Sequence, residues 1–382
     1  LGGQIFTLDG ADGTGPDGGV TLAADGNFYG TANSGGSADL GVLFRVSAQG
    51  EYTDLHDFTG TNDGILPIAP PIQASDGNLY GGTDSGPGFS GMTVYRYSST
   101  EGFSTLYTFD QAQGASILLP LVQASNGNLY GAFTGGGANS SGGIFEMTTS
   151  GVLLNLYSFP GGDGPSSPLG LLQAADGSFY GTTEIGGKKG YGTIFRMSPT
   201  GVVTLLYSFK GGRGDGKYPA GLMQATDGNL YGVTPQGGAE NSGTIYQITT
   251  AGAYKLLYSF VPATGKYPGD ELLQHTDGLF YGAAFEGGRQ NVGSIYSLNM
   301  ALSPFVAFVV PVGAEGQSAQ ILGQGFTGTT AVTFNGVPAT SFKVASDTFL
   351  TAVVPSGATT GKVVVTTPGG ALTSNVNFRI IN

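Results

Sequence analysis

Short apolar stretches that alternate with polar positions, separated by glycine-rich turns, run through the first three hundred residues. Alternation with a period of two over so few residues predicts strands. Between residues 170 and 209 the pattern is clearest: GLLQA, SFYGTT, GTIFRMS and VVTLLYSF follow one another. Asp176-Gly177 joins the first two stretches, a dipeptide suited to a tight hairpin turn. Ser198-Pro199-Thr200-Gly201 joins the last two, and its residue types also favour a turn. Four strands in meander order are therefore predicted for one unit.

That unit recurs. The string DGNFYG ending at Gly30 returns as DGNLYG, NGNLYG, DGSFYG, DGNLYG and DGLFYG, with tyrosines at Tyr29, Tyr80, Tyr130, Tyr180, Tyr231 and Tyr281, in steps of 51, 50, 50, 51 and 50 residues. A four-stranded unit of about fifty residues is the size of one propeller blade. Each strand type occurs six times. Residues 1–300 are thus expected to form an all-β, six-bladed β-propeller, an open solenoid being the competing architecture. The repeats begin with a fourth strand, Ile5 to Leu8, and end with a third strand at 293–298. Ile5 to Leu8 are expected to complete the last blade and hide its edge. With the first strand of each blade innermost, the Asp-Gly hairpins share one rim. Long loops such as 184–192 and 210–219 share the other, which is the expected binding face.

Residues 303–382 carry a different pattern. Val332 with Phe334, Phe342 with Val344, Leu350 with Ala352 and Val354, Val363 with Val365, and Phe378 with Ile380 each place one face inward. Two packed antiparallel sheets of an immunoglobulin-like sandwich are expected.

Both regions resemble known families. The LYSF strand, the GG-x-DG-x-x-P loop, DGNLYG and GG-x-x-x-x-GT-[IV]-F, nearly intact over 151–250, resemble the Gloeobacter/Verrucomicrobia tandem repeat. The first repeat departs from that pattern with DGADGTGPDGG, and the sixth with VPATGKYPGDE, which lacks the loop aspartate. The resemblance implies a surface or secreted bacterial protein and no particular activity. GQGF (323–326), VTFNGVPAT (332–340), SDTFLTAVVP (346–355) and GKVVVTTPGG (361–370) resemble an IPT/TIG domain, which implies a spacer or interaction module.

Composition narrows the function. Glycine supplies 70 of 382 residues and charged side chains only 10%, so tight turns and uncharged polar groups build the surface. The net charge of −12, with no basic stripe along the chain, argues against nucleic acid and anionic membranes as partners. The absence of cysteine removes disulfides and thiolate chemistry. The longest apolar run, Phe305 to Val310, is too short to insert in a membrane. A secreted protein, extracellular or at the cell surface, with its leader removed, is the expected location.

Candidate chemistry is sparse. His56 stands where most LYSF strands have tyrosine and reads as a strand substitution. His275 replaces the alanine of QASDG, QAADG and QATDG, and with Asp270 and Glu271 forms the one acid and imidazole group near the axis. Glu271 and His275 are roughly 13 Å apart along an extended strand, too far for a direct proton relay. Gln73, Gln123, Gln173, Gln224 and Gln274 recur in register; a ring that satisfies backbone groups between blades is the plain reading, a sugar-reading ring the functional one. Asp9, Asp12 and Asp17 offer oxygen ligands for calcium, the one cofactor considered, although Asp-Gly pairs are ordinary turn formers. Tyr191, Tyr218 and Tyr267, with Asp215, lie in the long loops and are the candidate ligand-binding residues. No nucleophile elbow, P-loop, HExxH or dinucleotide fingerprint is present.

These features favour a non-enzymatic extracellular protein for binding, adhesion or assembly, self-associating into an oligomer or filament through its terminal strand or contacting a polysaccharide or surface protein. The alternative is a polysaccharide-binding or polysaccharide-active propeller, lyase or hydrolase.

Overall fold

A computed structural model describes residues 6–8, 12–16, 18–85, 91–114, 116–117, 119–269 and 271–381. The described residues form strands, turns and loops, with no helix. The fold is all-β and propeller-like. In the first sheet, Val20–Leu22, Phe28–Ala32, Val42–Val46 and Tyr52–Asp57 pair in sequence order. The fifth repeats the arrangement with Leu222–Gln224, Leu230–Thr234, Thr244–Ile248 and Tyr254–Ser259.

The recurring motif residues have local causes. Asp227 in the DGNLY turn accepts the Asn229 backbone N–H at 3.0 Å, and its other oxygen accepts the Tyr231 hydroxyl at 2.8 Å. Asp25 with Tyr29, Asp76 with Tyr80 and Asp176 with Tyr180 repeat the bond. The tyrosine is thereby buried with its one polar atom satisfied. The glycine that follows makes room for an aromatic ring on the neighbouring strand. A Cβ on Gly181 would stand 2.5 Å from the Phe195 ring and 2.3 Å from the Gly170 carbonyl oxygen.

Successive sheets pack face to face through the last residue of each LYSF-type segment. Phe58, Phe109, Phe159, Phe209 and Phe260 are at most 1% exposed. Around the axis the glutamines tie each sheet to its predecessor. Gln73 accepts the Ala24 N–H, Gln123 that of Ser75, Gln173 that of Ser125, Gln224 that of Ala175 and Gln274 that of Thr226, at 2.7–3.0 Å. These amides serve the backbone, as the plain reading expects.

Of the segment expected to complete the last blade, Ile5 lies outside the described residues. Phe6 stacks on Tyr52 of the first sheet at 4.7 Å between ring centres. His56 stacks on Phe103 at 3.6 Å and Tyr207 on Tyr254 at 4.0 Å in the same way, each joining the outer strand of one sheet to that of the next. Phe6 thus holds the outer-strand position beside the first sheet. The last sheet contains Lys266–Pro268, Leu273–Gln274, Phe280–Glu286 and Ser294–Leu298, and the final strand pairs only with Phe280–Glu286 among the described residues. Ile295 there is 85% exposed, whereas Leu43, Val94, Ile144, Ile194 and Ile245 at its position are at most 2% exposed.

Beyond Ser303, two further four-stranded sheets enclose a separate core. Ala307–Phe308, Ser318–Leu322, Phe349–Val353 and Phe342–Ser346 make one, and Val337–Pro338, Ala331–Phe334, Val363–Thr367 and Gly370–Thr373 the other. Ile321, Phe326, Val332, Phe334, Leu350, Val363, Val365 and Phe378 fill the space between them. Phe342, expected inward, is 37% exposed because it lies on an edge strand. This sandwich meets the Asp-Gly hairpin ends of the other sheets. Gln324 Nε2 donates to Thr276 Oγ1 at 2.9 Å, the Phe305 N–H to the Thr276 carbonyl at 3.0 Å, and the Arg379 guanidinium to Gln123 Oε1 and to the Gln73 carbonyl. The long-loop rim takes no part in these contacts.

Replacing Gly181 with alanine is expected to cost about 1–3 kcal/mol in chemical denaturation, since neither the Phe195 ring nor the Gly170 carbonyl can retreat freely. Gly214→Ala, where an added Cβ meets nothing within 4 Å, should stay within about 0.5 kcal/mol of the wild type.

Candidate functional site

Three places ahead of the glutamine position each repeat has an equivalent residue. Those residues are Gly19, Pro70, Pro120, Gly170, Gly221 and Glu271. Small or closed side chains fill five positions; the sixth carries a carboxyl group. A Cβ on Gly170 would stand 3.8 Å from Gly221 Cα, and one on Gly221 would stand 3.6 Å from Glu271 Cβ and 3.7 Å from its Oε2. The Glu271 side chain therefore lies alongside the glycine of the neighbouring strand. It borders a cavity of about 400 Å³ whose wall also includes Met223, Gln224, Gln274 and, from the C-terminal sandwich, Asn375.

Glu271 is exposed to solvent at the cavity mouth, with Gly221 and the cavity wall against one side of its carboxyl group. Loss of bulk solvent raises its pKa from an ordinary 4.5 to about 7. A carboxyl that titrates near neutrality can either give or take a proton.

The other predicted residues have more local employment. Asp270 lies outside the described residues. His275 is exposed, with Nδ1 3.0 Å from Asp277 Oδ1 and its ring edge-on to Tyr281 at 5.8 Å. The alanines at its position, Ala23, Ala74, Ala124, Ala174 and Ala225, are at most 5% exposed. His275 is accommodated because the side chain turns outward along the hairpin. His56 holds Asp63 through Nε2 at 2.9 Å, as the Tyr207 hydroxyl holds Asp215 at 2.9 Å. Histidine there substitutes for a loop-holding tyrosine. Where the sixth loop lacks the aspartate, the Tyr258 hydroxyl bonds Thr264 Oγ1 instead, at 3.0 Å.

Asp215 is 4% exposed and accepts the Lys210 and Gly216 N–H groups as well as the Tyr207 hydroxyl. Its carboxylate is occupied in organising the loop. Tyr191 and Tyr218 meet edge to face at 5.9 Å, with Lys217 Nζ 4.9 Å from the centre of the Tyr191 ring. Tyr267 stands one sheet further on beneath Lys266 Nζ, at 5.0 Å. Asp9 and Asp17 lie outside the described residues, and the Asp12 carbonyl accepts the Tyr52 hydroxyl at 2.6 Å. Among the described residues no group of three or more His, Asp or Glu side chains is placed to hold a metal. Asn375 escaped the sequence reading because it lies outside the repeats, and no residue pattern announces that the sandwich reaches the cavity.

The repeated sheets, the axial glutamines and the DGNLYG turns define a repeat-built β-propeller class. The chain belongs to the Gloeobacter/Verrucomicrobia repeat family, whose sequence profile matches residues 3–170 and 167–324. No curated protein matches it. Among solved structures, a protein of Bacteroides uniformis provisionally named a 6-phosphogluconolactonase is similar at 14% identity, over 93% of this chain and 96% of that one, with a TM-score of 0.48. A protein of Bacteroides fragilis with the same provisional name is similar at 15% identity, over 96% of each chain, with a TM-score of 0.46. A gluconolactonase of Xanthomonas campestris is similar at 12% identity, over 83% of this chain and 90% of that one, with a TM-score of 0.38.

The expectation of a non-enzymatic binding, adhesion or assembly protein is corrected at this point: the solved structures similar to this chain bear enzyme names. At such identities they show the fold alone, and no residue role passes from them to this chain. The earlier expectation rested on missing motifs, and a motif search is blind to a single carboxyl group whose acidity is set by its surroundings.

Glu271 makes stability depend on pH. Between about 4.5 and 7 the folded chain holds a proton at this site that the unfolded chain has released, so stability falls as pH rises through that window. Glu271→Gln removes the dependence. In urea denaturation the variant is expected to match the wild type near pH 4 and exceed it near pH 8; equal stability at both pH values contradicts the raised pKa.

Proposed function

We propose that the protein is a polysaccharide-active enzyme, a lyase or hydrolase, in which Glu271 transfers the proton. One observation carries this reading: Glu271 places a carboxyl group at the wall of the cavity where first strands meet, beside Gly221, and the other repeats have only glycine or proline at its position. Half-protonated near neutral pH, such a group can protonate a departing glycosidic oxygen while water adds to the anomeric carbon, or remove a proton from a sugar carbon as the glycosidic C–O bond at its neighbour breaks to form the double bond. Gln224 and Gln274 are held by backbone partners, so they shape the wall while the carboxyl does the chemistry.

The same reading takes the six sheets as blades around one axis and residues 303–382 as an IPT/TIG-type domain beneath the hairpin rim. Substrate then enters from the long-loop rim. A polysaccharide too large to enter a cell places the enzyme outside it.

The test is turnover. Purified protein is incubated with neutral and acidic polysaccharides, following new reducing ends and the ultraviolet absorbance of unsaturated products. Reducing ends alone indicate hydrolysis, and both together indicate elimination. Glu271→Gln is expected to lower kcat by roughly 10²–10⁴-fold, and the wild-type pH profile should carry one limb near 7. No turnover of any substrate, or a wild-type rate in the variant, overturns the proposal.

A further inference from the structure

The chain has fourteen basic residues, and five of them, Lys188, Lys189, Lys210, Arg213 and Lys217, fall in the loops 184–192 and 210–219. Those loops also contain two carboxylates, Glu184 and Asp215. Five positive and two negative charges leave +3 locally, on a chain whose total is −12. Asp215 is buried and already bonded.

The fold brings the two loops together. The Tyr218 N–H donates to the Tyr191 carbonyl at 2.8 Å. A Cβ on Gly211 would stand 2.7 Å from Lys217 Cε and 2.9 Å from the Tyr191 ring. The turn from Lys210 to Arg213 therefore lies against the Lys217 and Tyr191 pair. The Lys188 N–H bonds Ser208 Oγ at 3.1 Å, two residues ahead of Lys210. Lys188, Lys189, Lys210 and Arg213 are exposed, and none of the five forms an ion pair among the described residues. Tyr218 holds φ at +58°, and Leu66, Ser167 and Tyr267 hold +54° to +56° at the same place ahead of proline. The repeat backbone thus fixes where Tyr218 is presented.

We propose that this rim patch binds an acidic polysaccharide, with sugar carboxylates on the free cations and sugar faces against Tyr191 and Tyr218. The patch leads toward the cavity. Tyr218 and Gly221 are three residues apart, at most about 11 Å between Cα atoms, and Gly221 borders Glu271. The inference deepens the enzymatic reading and rests on it for the destination of the bound chain. Nucleic acid fits less well: its densely spaced phosphates would run past two loops onto a surface of opposite preference. An acidic glycan spaces its charges by whole sugar rings and offers flat faces to tyrosine.

Binding is tested with full-length Glu271→Gln protein, by affinity electrophoresis in gels containing polygalacturonate, alginate or dextran and by competition with a single-stranded oligonucleotide. Retardation by the acidic glycans, weakened by salt and absent with dextran, is expected. The combined variant Lys188→Gln, Lys189→Gln, Arg213→Gln should lose affinity roughly tenfold with an unchanged unfolding midpoint. Equal retardation by dextran, undiminished binding in the combined variant, or preferential binding of the oligonucleotide overturns the proposal. Wild-type protein that binds acidic glycans without cleaving any substrate overturns the role of Glu271 and leaves the patch standing. Cleavage without acidic-glycan binding does the reverse.

Discussion

Each sheet after the first reaches back to its predecessor through one side-chain amide. The oxygen of Gln73, Gln123, Gln173, Gln224 or Gln274 accepts a backbone N–H of the sheet before, and in four of the five the nitrogen is tied to a glycine carbonyl of its own hairpin. A net hydrogen bond contributes only about 0.5–1.5 kcal/mol. Burying Phe159 or Phe209 between sheets contributes about 1.5–3 kcal/mol each, so the apolar faces supply the cohesion. The amides supply register. They hold the inner strands at a fixed separation, which sets Gly170 beside Gly221 and Gly221 beside Glu271.

Glu271 owes its raised pKa to its place in that row. The same carboxyl on an outer strand would be an ordinary surface group. Beside Gly221, at the cavity wall, it loses enough water to titrate near neutrality. The sandwich extends the relay by one step: Gln324 donates to Thr276 across 48 residues, the spacing that separates Gln274 from Thr226 and Gln123 from Ser75. Gln324 is also where the second family match ends. A differently folded unit therefore occupies the place where another repeat would make this contact.

Much of this was legible in the sequence, because a repeat states its constraints several times. The fifty-residue period identified the strands, the hairpins and the bonded role of the glutamines, and the break at Glu271 was visible as a departure from Gly170 and Gly221. Other features depend on contacts between distant segments. The basic patch is invisible as a stripe, since Lys188 and Lys217 are separated by strands facing elsewhere, and only the Tyr218 to Tyr191 bond unites them. Asn375 belongs to a different sequence pattern from the cavity it lines. Asp215 looked like a ligand group because its sequence neighbours are polar, whereas the loop folds over it and consumes its oxygens.

The sixth repeat departs most from its pattern, and its neighbours explain why. An internal sheet is gripped on both faces, so a residue such as Ile194 or Ala174 must be apolar and closely fitted. The last sheet meets the fifth on one face and the sandwich at its hairpin end, while Ile295, Val292 and Phe285 stand exposed on the other side. Among the described residues, fewer partners constrain its side chains. Glutamate and histidine can then replace glycine and alanine without breaking a packed contact, which makes the least constrained repeat the place where a repetitive scaffold can acquire chemistry.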